Sequence, residues 1–304
     1  MKTISIIGLG LMGHGMARNI LKAGFRLKGL AHHGNQNCDD LIAGGATLHD
    51  DLADVARGCD LLIICVTGSA EVEEVIYGTD GKGGIKAHAA SGLVVMDCST
   101  GLPQDTCRRA RDLAASGITL FDAAMTRTPK EAREGRLNLI LGGEAEVLAR
   151  ALPVMDSIAE TITHAGPVGM GQEAKLIHNF VSLGFSAILG EAAGRAEAAG
   201  IDRQVFLELI GKGGGGGVVF DRFRPYLEHG DKDAFRFSLA NAVKDLGYVE
   251  EMITNASPDS SPGGNLGDSL TPAVLGLMAA ARAALGDDAP IPEVAGLVTS
   301  RVKG

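Results

Sequence analysis

The segment Gly8-Leu9-Gly10-Leu11-Met12-Gly13 follows the apolar run Ile4–Ile7 directly and opens a helical stretch. In that setting each glycine has a mechanical reason. The first permits a tight turn, the second lets backbone approach a pyrophosphate, and the third allows close helix–strand contact with the phosphates at a helix N-terminus. A second strand at Leu27–Leu30 completes the context, so Gly8, Leu9, Gly10, Leu11, Met12 and Gly13 read as a dinucleotide site rather than a plain glycine turn. The expected cofactor is a nicotinamide dinucleotide, NAD or NADP. The end of the second strand, Leu30-Ala31-His32-His33, carries neither the acid that reads a free ribose diol nor an arginine that reads a 2′-phosphate. Nothing there repels a 2′-phosphate, and His32 or His33 could donate to one, which tips the balance slightly to NADP. Exposed histidines without a ligand are the other reading.

Chemistry at such a turn needs a scaffold, and the composition supplies one. The chain has 304 residues, of which 45% are hydrophobic and 21% charged, an ordinary globular balance. With 28 basic against 37 acidic residues the net charge is −9, which argues against nucleic acid as a partner. The purely apolar runs, such as Leu61–Val66, are far shorter than the roughly 20 residues that span a bilayer, so no membrane association is expected. The first residues read as a strand, not a signal peptide. Five cysteines (Cys38, Cys59, Cys65, Cys98, Cys107) form no Cys-x-x-Cys pair. They suggest neither a disulfide framework nor a metal site, but reduced thiols in a cytoplasmic protein.

From Thr3 to about His164 short apolar runs recur: Ile4–Ile7, Leu27–Leu30, Leu61–Val66, Leu93–Met96, Thr119–Phe121 and Leu137–Leu141. Amphipathic segments such as Met12–Ala23 and Gln104–Ala115 lie between them. Buried parallel strands joined by crossover helices give this pattern. After Gly166 it changes. Gly169–Ala199 contains no proline and carries Leu176, Ile177, Phe180, Val181, Ile188 and Ala192 at helical spacing. Further helices are expected at Arg203–Ile210, Leu239–Thr254 and Ala273–Leu285, with loops at Gly211–Gly217 and Ser257–Gly267. The fold class is therefore α/β: an N-terminal Rossmann-type doubly wound parallel sheet over residues 1–165, followed by an all-α substrate and oligomerisation domain over 166–304.

Several ordered motifs together resemble the β-hydroxyacid dehydrogenase family, which includes 3-hydroxyisobutyrate dehydrogenases, tartronate semialdehyde reductases and sulfolactaldehyde reductases. The likeness runs over nearly the whole chain. It begins at Gly8-Leu9-Gly10-Leu11-Met12-Gly13 and continues through Asp97-Cys98-Ser99-Thr100 with Pro103. It then takes in Asp122-Ala123-Ala124-Met125, Gly135-Arg136-Leu137 and Gly142-Gly143. It ends on Gly169-x-Gly171-Gln172-x-x-Lys175-Leu176-x-x-Asn179 and Lys244-Asp245-Leu246.

The resemblance implies a two-domain enzyme with its active cleft between the domains. That enzyme interconverts a short β-hydroxyacid, or a sulfonate analogue, and its semialdehyde by NAD(P)-dependent hydride transfer. Lys175 is then the catalytic acid and base, for a lysine ammonium can stabilise and protonate an alkoxide. Asn179, four residues on, shares its helix face and could hold the substrate oxygen or orient Lys175. Judged without the family, such a pair is an ordinary solvated helix face. Ser99 is expected at the substrate or nicotinamide, Thr100, Val66 and Thr67 at the cofactor, and Lys244 near the nicotinamide, with Asp245 able to pair with an active-site lysine. His178 stands where many relatives have a second asparagine. A homodimer or homotetramer built on the helical domain is implied by resemblance alone.

One departure bears on the substrate. Most relatives have Ser-Gly-Gly where this chain has Thr126-Arg127-Thr128, and an arginine flanked by hydroxyls suits an anionic head group with several oxygens. The sulfolactaldehyde reductase branch is similar in having Arg-Thr here, which makes a sulfonate a candidate beside a carboxylate. An ion pair of Arg127 with Glu131 is the structural alternative. The run Gly213–Gly217 is either a lid near the substrate or a flexible surface loop. Two other classes stay open, a dinucleotide-binding module without turnover and an imine reductase-like enzyme. Lys175 argues against both.

Overall fold

The computed structural model describes residues 1–79, 83–255 and 269–303. The loop expected over 257–267 lies outside these residues. The chain forms two compact units, Met1–Lys175 and Leu176–Gly304.

The first unit is built on eight strands: β1 (Thr3–Ile7), β2 (Arg26–Leu30), β3 (Thr47–His49), β4 (Leu61–Ile64), β5 (Val94–Asp97), β6 (Thr119–Thr126), β7 (Leu137–Gly142) and β8 (Ala159–Gly166). They pair in the order β3-β2-β1-β4-β5-β6-β7-β8, so the winding reverses between β1 and β4. Such a switch point leaves a crevice at the carboxyl ends of the two strands, where open α/β sheets bind ligands. Every residue of β1, β4 and β5 is buried, the polar Thr3, Ser5 and Asp97 included, which explains why these strands read as largely apolar runs. Alternate residues serve opposite faces: Ile4, Ile6, Leu61, Ile63, Val94 and Met96 join one apolar cluster, whereas Ile7, Leu62, Ile64 and Val95 join the other. At roughly 1.5–3 kcal/mol for each buried side chain, the central strands anchor the switch point firmly.

The structure departs from the sequence reading at β6 and β7 and adds two strands to it. Leu137–Leu141 was expected to be one of the parallel strands, but β7 pairs antiparallel with β6. The connection over 127–136 is shorter than the dozen or so residues a parallel crossover needs. Strand β6 runs on to Thr126 instead of ending near Phe121, which carries Asp122 inside the sheet. Strands β3 and β8 were not anticipated. The first is only three residues long, and β8 is an edge strand with Glu160, Thr161, Thr163 and His164 exposed, so neither shows an apolar pattern.

Among the described residues the second unit is helical, apart from an isolated bridge between Ser238 and Pro290. Helices at Arg203–Lys212, Leu239–Asn255 and Thr271–Leu285 match the expected segments, and Val218–His229 and Val294–Lys303 are additional. The long helix Met170–Ala198 supplies Leu183, Ala187, Leu189, Ala193 and Ala196 to this unit's core. By length and composition alone it could cross a membrane. Its buried polar residues Gln172, Lys175, Asn179 and Ser186 mark it instead as a core helix.

Candidate active site

At the switch point the glycine turn is fixed by sterics. Gly8 has φ +94°, and a β-carbon built on it would lie 2.1 Å from the Cys65 carbonyl oxygen just beyond β4. A β-carbon on Gly13 would lie 1.9 Å from the Gly8 carbonyl oxygen. Neither neighbour is a flexible side chain that could yield. Gly10 differs: it caps the helix Leu11–Lys22 without a side-chain bond, and among the described residues nothing beyond its chain neighbours approaches within 4 Å of where its β-carbon would be. The first turn beyond it holds no acidic residue. Open space beside a bare helix N-terminus, with backbone amides that lack intrahelical acceptors, fits a dinucleotide pyrophosphate.

A residue missed in the sequence ties this turn to the end of β2. Asn35 accepts a hydrogen bond from the Leu9 N–H (3.2 Å) and donates to the Leu30 carbonyl (2.9 Å), so it links the glycine turn to the end of β2. An asparagine two residues after a strand-end His-His pair is a turn signal, and nothing in its type indicates which backbone it bridges. His32 and His33 are exposed, with ring centroids 4.0 Å apart. His32 Nδ1 accepts from the Gly34 N–H at 3.1 Å, an arrangement that leaves Nε2 as the donor of the neutral ring.

Ser99, beyond β5, is 2% exposed, and its hydroxyl accepts a hydrogen bond from the Val66 N–H (3.1 Å) beyond β4. The structure thus brings together two of the expected site residues, while Thr67 is exposed and Thr100 half-buried beside them. Asp97 accepts from the Ser99 N–H (2.9 Å), and burial holds its carboxyl above the usual range. The loop is also bound to the start of the long helix. Gln172 donates from Nε2 to the Ser99 carbonyl (2.8 Å) and accepts from the Gly101 N–H (3.1 Å). Asp122, on β6, accepts from the Gly169 N–H (2.7 Å) with one carboxylate oxygen and from the Gln172 N–H (2.8 Å) with the other. Burial pushes the Asp122 carboxyl up to about 6, with Asp97 adding to the rise and the two backbone amides opposing it. Lys175 follows Gln172 by three residues on the same helix and is 8% exposed.

The Thr126-Arg127-Thr128 stretch leaves the end of β6. Arg127 has φ +84°, the one non-glycine residue of positive φ among those described. Its guanidinium donates to the Arg136 carbonyl (2.6 Å) and to Glu160 at the start of β8, not to Glu131. Glu160 also accepts from Arg136. Glu131 instead completes a capping box for the helix Pro129–Glu134, accepting from the Thr128 N–H (3.0 Å) and hydroxyl (2.5 Å). That helix packs on the helix of the glycine turn: a β-carbon on Gly15 would meet the Ala132 and Arg133 backbone, and Asn19 donates to the Ala132 and Arg133 carbonyls.

Within the second unit Asn179 is 4% exposed and donates to Asp245 Oδ2 at 2.6 Å. Lys244 lies 3.1 Å from the other Asp245 oxygen and 5.6 Å from the Tyr248 ring centroid. His178 is exposed, with Nδ1 3.2 Å from the Asn179 amide oxygen.

A doubly wound sheet with this glycine turn at its switch point defines a dinucleotide-binding protein. Residues 3–166 match the family described as the NAD binding domain of 6-phosphogluconate dehydrogenase. Residues 169–295 match the family described as NAD-binding of NADP-dependent 3-hydroxyisobutyrate dehydrogenase. An NAD-dependent L-serine dehydrogenase of Pseudomonas aeruginosa is 32% identical over 89% of this chain and 91% of its own. A 3-sulfolactaldehyde reductase of Escherichia coli is 31% identical over 82% of each chain. A solved 3-hydroxyisobutyrate dehydrogenase from Salmonella typhimurium superimposes with a TM-score of 0.83 at 26% identity, covering 98% of this chain and all of the other. The chain belongs to the β-hydroxyacid dehydrogenase family and is an NAD(P)-dependent oxidoreductase.

Proposed function

We propose that the protein interconverts a short anionic β-hydroxyacid and its semialdehyde, with Lys175 as general acid and base. The observation that carries this reading is the burial of Lys175 on a helix whose first turn is bonded through Gln172 to the Ser99 loop. When bound, the nicotinamide supplies or accepts the hydride. In reduction the carbonyl oxygen becomes basic as the hydride reaches its carbon, and the Lys175 ammonium stabilises it and passes it a proton. In oxidation the neutral amine takes that proton back. Asn179, held by Asp245 and four residues further along the helix, orients the lysine or the substrate oxygen.

The anionic end of the substrate is assigned to Ser99 and to Thr126, Arg127 and Thr128. Both a carboxylate and a sulfonate present the oxygens an arginine fork accepts, and the serine dehydrogenase and sulfolactaldehyde reductase among the relatives are named for one substrate of each kind. For the cofactor, the absence of an acid at Ala31-His32 and the exposed His32 ring, whose Nε2 is left as donor, support NADP over NAD.

The test is a panel of three- and four-carbon semialdehydes, carboxylate and sulfonate, each with NADH and NADPH, run on the wild type and on Lys175→Ala. The variant should lose about a thousandfold in turnover while binding cofactor as before. Full activity in Lys175→Ala removes the lysine from the chemistry, and no turnover across the panel removes the substrate class.

A further inference from the structure

Asp122 is fully buried in an otherwise apolar stretch of β6, at a position where an acid costs free energy unless it is engaged on both oxygens. Both are engaged by the start of one helix, through the Gly169 and Gln172 amides. Two glycines are packed against the carboxylate. A β-carbon on Gly142 would lie 2.5 Å from Asp122 Oδ1, and one on Gly171 would lie 2.6 Å from Asp122 Oδ2 and 2.5 Å from the Ile140 carbonyl. The helix start therefore sits as close to β6 as backbone allows, and the two amide–carboxylate bonds oppose its sliding or tilting away.

Gln172 is the second half of the device. Its backbone is held by Asp122, and its fully buried side chain reaches the Ser99 carbonyl and the Gly101 N–H on either side of Thr100. One residue thus fixes the height of the helix on the sheet and the position of the loop after β5. Lys175 stands three residues beyond it, about 4.5 Å along the axis and on nearly the same face. A simple helix cap would need only the carboxylate, so the amide bridge to the Ser99 loop has another use.

We propose that Asp122 and Gln172 are positioning residues for the reaction: a buried clamp that sets Lys175 in register with the Ser99–Gly101 loop. The inference rests on Lys175 as the acid and base, and the experiment separates the two. In Gln172→Ala, turnover should fall about 10- to 100-fold, as small misplacements of reacting groups do. The dissociation constant for NADPH, read by fluorescence titration, should stay within about twofold of wild type, because the glycine turn is untouched. In the Lys175→Ala background the same change should cost little further turnover, since groups that act through one another are not additive. Unchanged turnover in Gln172→Ala, or the full loss repeated on top of Lys175→Ala, overturns the clamp. Full activity of Lys175→Ala alone overturns the lysine reading, independently of what Gln172→Ala does. Gln172→Glu keeps the volume and the acceptor for the Gly101 N–H but loses the donor to Ser99, and it is read by the same criteria if the alanine variant does not fold.

Discussion

Two turns leave the carboxyl ends of parallel strands in the same sheet, and both need a residue at positive φ. Gly8, after β1, has φ +94°, and Arg127, after β6, has φ +84°. At Gly8 the room for a β-carbon is already taken by the Cys65 carbonyl, so the turn is made by leaving an atom out. At Arg127 the side chain is present, and its guanidinium holds the conformation through Glu160 and the Arg136 carbonyl. A left-handed conformation costs a non-glycine residue about 1–2 kcal/mol, which distant contacts must offset. The same backbone demand is thus met locally in one turn and by a partner 33 residues away in the other. Local solutions leave a mark in the sequence, whereas long-range ones do not.

The largest effect should come from putting an atom back. Gly13→Ala places a β-carbon 1.9 Å from the Gly8 carbonyl, so the turn has to shift. The expected cost is about 3 kcal/mol of stability in urea, with cofactor binding abolished in a fluorescence titration. Gly10→Ala separates the two consequences. Its β-carbon meets no described atom beyond its chain neighbours and its φ of −71° suits alanine, so stability should change by less than about 0.5 kcal/mol. Binding of NADPH should still weaken severely, because the added methyl enters the space assigned to the pyrophosphate. Unaffected binding in Gly10→Ala would move the pyrophosphate elsewhere.

This contrast sets how much could be read from residues alone. The switch-point strands were legible because burial on both faces makes Leu61–Ile64 a continuous apolar run and leaves Thr3–Ile7 interrupted only by small hydroxyl residues. The glycine turn was legible because Gly-x-Gly-x-x-Gly between strand and helix has one steric meaning. The direction of β7 was not, since it depends on the length of the connection and not on the strand's own residues. The ion-pair alternative for Arg127 named the wrong carboxylate for a related reason. Glu131 is near in sequence, but its carboxylate is taken by the Thr128 cap, and Glu160 lies on an exposed edge strand that carries no apolar signal. Asp122 and Gln172 were visible only as members of motifs. A charged residue within Leu120-Phe121-Asp122-Ala123-Ala124 does signal a buried acid, but not that a helix start supplies its donors.

Asp122 offers a prediction of intermediate size, because its clamp is electrostatic where the glycine turn is steric. The carboxyl ionises at about 6 in the folded chain against 3.8 when unperturbed, with burial as the main cause. Between those values the folded state holds a proton that the unfolded state releases. Its contribution to stability is therefore fully present below about pH 3.8 and is lost as the pH rises through about 6. The span amounts to about 3 kcal/mol at most, from 1.36 kcal/mol for each pH unit. Urea unfolding of wild type and Asp122→Asn at pH 7.5 and pH 5 should show the wild type gaining on the variant at the lower pH. A difference that does not change between the two would mean that Asp122 keeps an ordinary carboxylate pKa.

The smallest effects belong to Arg127, and they decide whether it differs from Gly8 in kind. Arg127→Gly removes the ion pair with Glu160 but also the penalty of the left-handed backbone, so its stability should stay close to wild type. Arg127→Ala loses the pair and keeps the penalty, and should be less stable than Arg127→Gly by about 1 kcal/mol. Both variants should raise KM for anionic semialdehydes severalfold if the guanidinium meets the substrate. Glu160→Gln tests that condition in the opposite sense: it leaves Arg127 in place but withdraws the carboxylate that engages it, and KM should then fall, most clearly at low salt. A KM that is the same in all three variants would make Arg127 a strut alone. Anion recognition would then pass to Ser99, Thr126 and the backbone amides of the turn, and the arginine would do by contact what Gly8 does by the absence of a side chain.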